Sequence, residues 1–70
     1  MPKNEKFGKY LTSKIAESNL TNYGLSKLSG IAPNEIKLLA LGQRTPRAET
    51  LKKLSAALGV SIEELIENIY

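Results

Sequence analysis

The chain has 70 residues, 41% of them hydrophobic and 24% charged, which suits one small domain with a single core. It contains no Cys, His, Asp or Trp, and this excludes disulfides, thiolate nucleophiles, imidazole bases and nearly every kind of zinc site. The net charge of +3 is uneven, because residues 1–47 carry eight Lys or Arg against three Glu and residues 48–70 carry two Lys against four Glu. The first part therefore indicates either a basic face for a polyanion or lysines scattered for solubility.

No segment has the character of a membrane helix or a secretory signal. The longest apolar run, 38–41, has four residues, whereas a membrane span needs about twenty. Lysines interrupt the start of the chain. We therefore expect a cytoplasmic protein with no membrane partner.

Five short helices are predicted, with no strand and no internal repeat. The first helix begins near Asn4, a favourable N-cap, and ends where Asn19 can adopt the left-handed conformation. It places Phe7, Leu11 and Ile15 on one face.

The second predicted helix is short. Thr21 is its expected N-cap and Gly30 ends it. Leu25 and Leu28 are expected to face inward.

The third and fourth predicted helices are separated by a short loop. Pro33 suits the first turn of a helix over 33–41, and Gly42 ends it. Thr45 and Pro46 are then expected as the N-cap and first residue of the fourth helix, which Gly59 closes. Its inward stripe is Leu51, Leu54, Ser55 and Leu58.

The last predicted helix covers about residues 61–70. Ser61 and Glu64 have the spacing of a capping box. Its apolar side could pack inward or onto a second copy of the chain. The residues on that side are Ile62, Leu65, Ile66 and Ile69.

The spacing of residues 22–41 matches a helix-turn-helix. With Asn22 as the first position, the fifth holds Ser26, a small residue that lets the helices approach, and the ninth holds Gly30, which suits the positive φ of the turn. The apolar residues that seal the angle between the two helices are expected at the fourth, tenth, fifteenth and eighteenth positions. Those positions hold Leu25, Ile31, Ile36 and Leu39.

These features resemble the lambda-repressor and Cro family of helix-turn-helix proteins, also called the Xre family. The resemblance covers about residues 5–68 and includes the segments 20–31, 45–51 and 54–61. It implies a compact all-α, five-helix domain, 1–70, that binds palindromic DNA as a dimer with the second helix of the motif in the major groove. Most proteins of this family are bacterial or phage repressors.

The resemblance also implies roles for single residues, matched by position. Asn34 can pair with adenine or serve the helix start, and Lys37 can donate to guanine or to a phosphate. Asn22 can meet a phosphate or act as a capping residue beside Thr21. The implied base contacts are Pro33, Asn34, Lys37 and Leu38. The implied phosphate contacts are Asn22, Lys27, Gln43, Arg44 and Arg47.

Five positions depart from the family pattern. Ile15 and Ala40 stand where many members have a buried Arg–Glu pair, and an apolar contact is a tolerable replacement for such a pair. Leu38 and Leu41 lie at outward positions where polar residues usually meet DNA. Glu35 would repel phosphates unless it accepts from cytosine or folds back on its own helix start.

Two functions stay open at this point. The first is a sequence-specific, DNA-binding transcriptional regulator, a repressor that occupies a palindromic operator as a homodimer. The second is a protein-binding module on the same fold, an anti-CRISPR-like inhibitor or an accessory domain, which Leu38 and Leu41 favour.

No nucleophile–base pair is apparent, so no enzyme, catalytic residue, metal or cofactor is expected. The predicted dimer contacts are Ile62, Ile66, Ile69 and Tyr70.

Overall fold

A computed structural model describes residues 3–70 of the chain, which form five α-helices. Their bounds are Glu5–Glu17 for α1, Asn22–Ser29 for α2, Pro33–Ala40 for α3, Ala48–Leu58 for α4 and Ile62–Glu67 for α5. No strand occurs between residues 3 and 70, and the all-α, five-helix prediction is confirmed. The first two residues of the predicted 1–70 domain lie outside the described part. Within that part, no helix has the length and apolar character needed to cross a membrane.

Local capping chemistry fixes both ends of α1 and α2. The side chains of Asn4 and Thr21 each accept a hydrogen bond from a first-turn amide at 3.0 Å. Asn19 follows α1 with a positive φ of 56°. Gly30 ends α2 with a φ of 78°. These four helix ends are confirmed as predicted, because each depends on the chemistry of one residue and its nearest neighbours.

The start of α4 differs from the prediction. Thr45 and Pro46 are expected as N-cap and first helical residue, but the helix begins at Ala48 with Arg47 as its N-cap. Pro46 is buried, so its ring contributes to the packing of the loop, and the chain is still extended at Arg47 with φ −87° and ψ 165°. The prediction is wrong because the capping pattern of Thr45 and Pro46 does not reveal that the Pro46 ring is buried in the folded chain. The end of α3 at Ala40 agrees with the prediction to within one residue.

The inward face of α2 also differs from the prediction. Leu25 is fully buried, but Leu28 is 63% exposed. Ser26 is buried and Ser29 is half-buried. At 3.6 residues per turn the two serines lie to one side of Leu25, and Leu28 lies on the other. The buried face of α2 is therefore centred on small side chains, and Leu28 is left in solvent.

One apolar core lies between the helices. It includes the four residues that are predicted to seal the angle between the helices of the motif. Ile15 is buried in this core and Ala40 packs against it, so both positions of the family's ion pair are apolar and packed. The core residues are Phe7, Leu11, Ile15, Leu25, Ile31, Ile36, Leu39, Leu51, Leu54 and Leu65.

The loop after α3 is held against the start of α1. The backbone N–H of Asn4 donates to the carbonyl of Gly42 at 2.9 Å. A Cβ atom on Gly8 would lie 2.7 Å from the Gly42 nitrogen, and a Cβ atom on Gly42 would lie 2.9 Å from the Cα of Glu5. Gly42 also has a φ of 75°, so only glycine fits there. This backbone contact fixes the position of the loop relative to α1.

The last helix, α5, is tied to α1 by polar side chains. The carboxylate of Glu64 accepts from the Tyr10 hydroxyl and lies 3.5 Å from the Lys14 ammonium. The Ser61 hydroxyl accepts from the Glu64 amide at 3.1 Å, which is the serine half of the predicted capping box. The Glu64 carboxylate is turned toward α1 instead of completing the box. Burial, then the bond to Glu64, raises the pKa of Tyr10, and the same bond lowers the pKa of the Glu64 carboxyl.

Candidate nucleic-acid interface

Serine side chains lock the turn between α2 and α3. The buried Ser26 hydroxyl donates to the carbonyl of Ile31. The Ser29 hydroxyl donates to the Leu25 carbonyl at 2.7 Å and accepts from the Ile31 amide at 3.2 Å. Gly30 supplies the left-handed conformation that reverses the chain. These bonds satisfy the polar groups of the turn and fix the direction in which α3 projects.

The predicted base contacts on α3 differ in exposure. Pro33, Asn34 and Lys37 are exposed, whereas Leu38 is half-buried. Pro33 opens the helix, and no side chain caps its start. Asn34 therefore does not take the alternative role in the helix start, and its amide is available to a partner.

The start of α2 forms a second exposed polar surface. Thr21 is its N-cap, so the exposed Asn22 does not take the alternative capping role. The first turn of α2 holds no acidic residue, which favours an anion at this positive helix end. The Lys27 ammonium lies 5.0 Å from the ring centroid of the exposed Tyr23, a cation–π contact.

The loop between α3 and α4 carries the remaining predicted phosphate contacts. Gln43 and Arg47 are exposed, and Arg44 is half-buried. The Arg44 guanidinium forms an ion pair with the carboxylate of Glu35, which lies in the first turn of α3. Glu35 thus bonds to Arg44 instead of folding back on its own helix start, a partner that the sequence did not predict. Acceptance from cytosine stays a prediction.

A surface hollow brings the N-terminal segment beside α3 and the loop. It is lined by Lys3, Leu38, Gln43 and Arg44, and it is called the Lys3 hollow below. The bond between the Asn4 amide and the Gly42 carbonyl holds the start of the chain in this place. Three predicted DNA contacts therefore share one site with a lysine that was not predicted to belong to it.

Leu38 and Leu41 do not form the single apolar patch that the sequence predicts. Leu41 is 57% exposed, but it caps the end of α3 and lines a different hollow, next to α1. Leu38 is half-buried and lies in the Lys3 hollow. The pair separates because Leu41 follows the last residue of α3, where the chain turns toward Gly42. This separation weakens the argument for a protein-binding module.

Comparison with known proteins identifies the family. The helix-turn-helix family HTH_3 matches residues 13–65. The chain belongs to the HTH_3 family. A search of curated proteins found no match.

Solved structures of regulators share the fold. The restriction-modification controller protein C.AhdI from Aeromonas hydrophila is 30% identical, with 87% of this chain and 92% of that chain covered and a TM-score of 0.82. The clp gene regulator ClgR from Corynebacterium glutamicum is 26% identical in two structures, each covering 93% of this chain. One covers 69% of the ClgR chain with a TM-score of 0.80, and the other covers 84% with a TM-score of 0.78. The five helices therefore form an HTH_3-type DNA-binding domain.

The structure places two residues beside the predicted contacts that sequence reasoning did not include. Lys3 is far from α3 along the chain, and its sequence signal is a single positive charge. Tyr23 is adjacent to Asn22, but an aromatic residue in a short helix is usually read as part of the core. The i, i+4 spacing of Tyr23 and Lys27 is the signal that could have found the second residue.

The predicted dimer contacts lie on α5 and just after it, and they divide into two groups. The helix ends at Glu67, three residues before the predicted end near residue 70, so Ile69 and Tyr70 follow it. Ile62 and Ile69 are half-buried, and Ile69 packs against the core of its own protomer. Ile66 is 40% exposed and Tyr70 is 90% exposed. The outer two residues are therefore the part of the predicted interface that is available to a second copy.

Proposed function

We propose that this protein is a transcriptional regulator that binds a specific duplex DNA site with α3 in the major groove. The observation that carries the proposal is the Lys3 hollow, where a half-buried leucine of α3 meets Gln43, Arg44 and Lys3 on an HTH_3 fold. The printed descriptions of C.AhdI and ClgR, a controller protein and a gene regulator, support it. DNA binding of this kind agrees with the expected cytoplasmic location.

In this proposal, base reading and backbone binding are divided between two sets of residues. Exposed polar groups on α3 contact base edges, and Leu38 contacts a thymine methyl group. Basic and amide side chains around α3 bind phosphates and set the register. The proposed base contacts are Pro33, Asn34, Lys37 and Leu38. The proposed phosphate contacts are Asn22, Lys27, Gln43, Arg44 and Arg47, to which Lys3 and Tyr23 are added.

The operator is proposed to be a palindrome, bound by a homodimer that acts as a repressor. Two recognition helices must lie about 34 Å apart to meet successive half-sites. The Cα extents of the described chain are 25 × 23 × 21 Å, so one copy is too small to span both half-sites. The exposed Ile66 and Tyr70 offer the apolar contact for a second copy.

Selection of bound duplexes from a random library tests the proposal. We expect enrichment of a palindrome, and we expect the logarithm of the binding constant to fall linearly with the logarithm of the salt concentration. Binding that shows the salt dependence but enriches no sequence would contradict specific reading. Absence of any duplex binding at low salt would contradict the function as a whole.

A further inference from the structure

The ion pair between α3 and the following loop joins a residue of the recognition helix to a proposed phosphate contact. Nη1 of Arg44 donates to Oε1 of Glu35. Their side chains are 32% and 23% exposed, so water and salt screen this pair less than they screen an exposed pair. Among residues 3–70, Glu35 is the one side chain that bonds to Arg44. The opposite edge of the planar guanidinium keeps its N–H donors for another partner.

Glu35 is itself held in place by α3. It lies in the first turn of that helix, where the positive end of the helix dipole stabilises a carboxylate. An arginine bonded to it is therefore fixed to the helix that carries the proposed base contacts, although Arg44 itself lies in the loop after α3. A side chain that is already ordered loses less conformational entropy when it binds.

We propose that Glu35 is a positioning residue for DNA binding. It holds one edge of the Arg44 guanidinium against α3, so that the other edge meets a backbone phosphate beside the bases that α3 contacts. This places backbone contact and base reading on one rigid frame. The inference rests on the proposed function, because it assigns Glu35 a role only in a protein that binds DNA.

Glu49 provides a matched control. It lines the same groove as Glu35 and Arg44, between the turn and the start of α4, and it is exposed. None of the ion pairs within residues 3–70 involves Glu49. Replacing Glu49 therefore removes the same charge from the same groove without releasing Arg44.

The test measures binding of a labelled duplex of random sequence by fluorescence anisotropy at several salt concentrations. Arg44→Ala should weaken binding about tenfold and reduce the salt slope by about one. Glu35→Ala should weaken it about three- to tenfold, because the guanidinium is then no longer ordered. In the Arg44→Ala background, Glu35→Ala should cause no further loss. Glu49→Ala should leave affinity unchanged or raise it in both backgrounds.

Two results would overturn the role of Glu35. If Glu35→Ala strengthens binding as Glu49→Ala does, the carboxylate only repels phosphate. If Glu35→Ala still weakens DNA binding in the Arg44→Ala background, Glu35 acts on the fold and not through Arg44. Glu35→Gln, which keeps an acceptor oxygen and the side-chain shape, should recover part of the affinity and carries the test if the alanine variant does not fold. Failure of the unaltered chain to bind any duplex would overturn the proposed function as well, which separates the two failures.

Discussion

Asn4 is hydrogen-bonded to three different parts of the molecule. Its side-chain oxygen accepts from the Phe7 amide at 3.0 Å, its side-chain nitrogen donates to the Ile69 carbonyl at 2.9 Å, and its backbone nitrogen donates to the Gly42 carbonyl at 2.9 Å. One residue thus joins the start of α1, the loop beside α3 and the end of the described chain. The amide side chain suits this position because it offers a donor and an acceptor together.

Two substitutions of Asn4 should therefore lower the free energy of unfolding by different amounts. Asn4→Ala removes both side-chain bonds and is expected to cost about 2 kcal/mol of the free energy of unfolding. Asn4→Asp keeps the capping oxygen but cannot donate to Ile69, so about half that loss is expected. Urea unfolding followed by circular dichroism measures both. A loss below about 0.5 kcal/mol for Asn4→Ala would show that the joint is not needed for stability.

Asn34 is expected to read adenine in the operator. Its exposed amide is not used to cap α3. Asn34→Ala should cost about 1–3 kcal/mol on the selected site and leave binding to unrelated duplexes unchanged. Lys37→Ala is the comparison, since a phosphate contact would lower both affinities alike and reduce the salt slope. An equal loss on every duplex for Asn34→Ala would contradict its role as a base contact.

At the scale of the elements, one turn design is used twice. In the turn after α2, Ser26 donates to the Ile31 carbonyl across Gly30. In the turn after α4, Ser55 donates to the Val60 carbonyl with Gly59 left-handed between them. This serine–glycine turn sets the angle between α2 and α3, and it sets the placement of α5 after α4.

Alanine replacements at two glycines should distinguish the energetic cost of a left-handed backbone from that of a steric clash. Gly30 and Gly42 have φ values of 78° and 75°. A Cβ atom on Gly30 meets nothing within 4 Å, whereas on Gly42 it meets the Cα of Glu5 at 2.9 Å. Gly30→Ala should cost about 1 kcal/mol of unfolding free energy, and Gly42→Ala about 1–3 kcal/mol more. Equal losses in urea unfolding would contradict the close approach of the loop to α1.

The sequence predicts features that depend on neighbouring residues in the chain, and it does not predict features that depend on contacts between separate segments. The ends of α1 and α2 were predictable because Asn4, Thr21 and Gly30 act on their own backbone. The start of α4 and the exposure of Leu28 were not, because both depend on which neighbours a side chain meets in the folded chain. The Glu35–Arg44 pair and the place of Lys3 also arise only when distant segments come together. The sequence therefore predicts the geometry of the motif but not the side-chain contacts around it.

At the scale of the whole molecule, the Tyr10–Glu64 bond links the first helix to the last. The bond lowers the pKa of the Glu64 carboxyl in the folded chain. The Tyr10–Glu64 bond therefore stabilises the folded chain fully above the ordinary carboxyl pKa of about 4.3. This stabilisation is lost as the pH falls below that value. Tyr10→Phe should make urea stability less dependent on pH in this acidic range. Tyr23→Phe is the control, and an equal effect of both variants would contradict this origin.

The last prediction concerns assembly, on which palindromic reading depends. Ile66 on α5 and Tyr70 after it are exposed, while Ile69 packs on the core of its own chain. A charge at Ile69 would therefore disturb the fold and the interface together, whereas Ile66→Glu adds a charge only at the surface. We expect Ile66→Glu to sediment as a monomer with an unchanged circular dichroism spectrum and to lose preference for a palindrome over a single half-site. Leu28→Glu, which adds a charge at an exposed apolar residue of another helix, should leave both the mass and the preference unaltered. If Ile66→Glu keeps the mass of the unaltered protein, α5 is not the dimer contact, and the two half-sites must be joined through another surface.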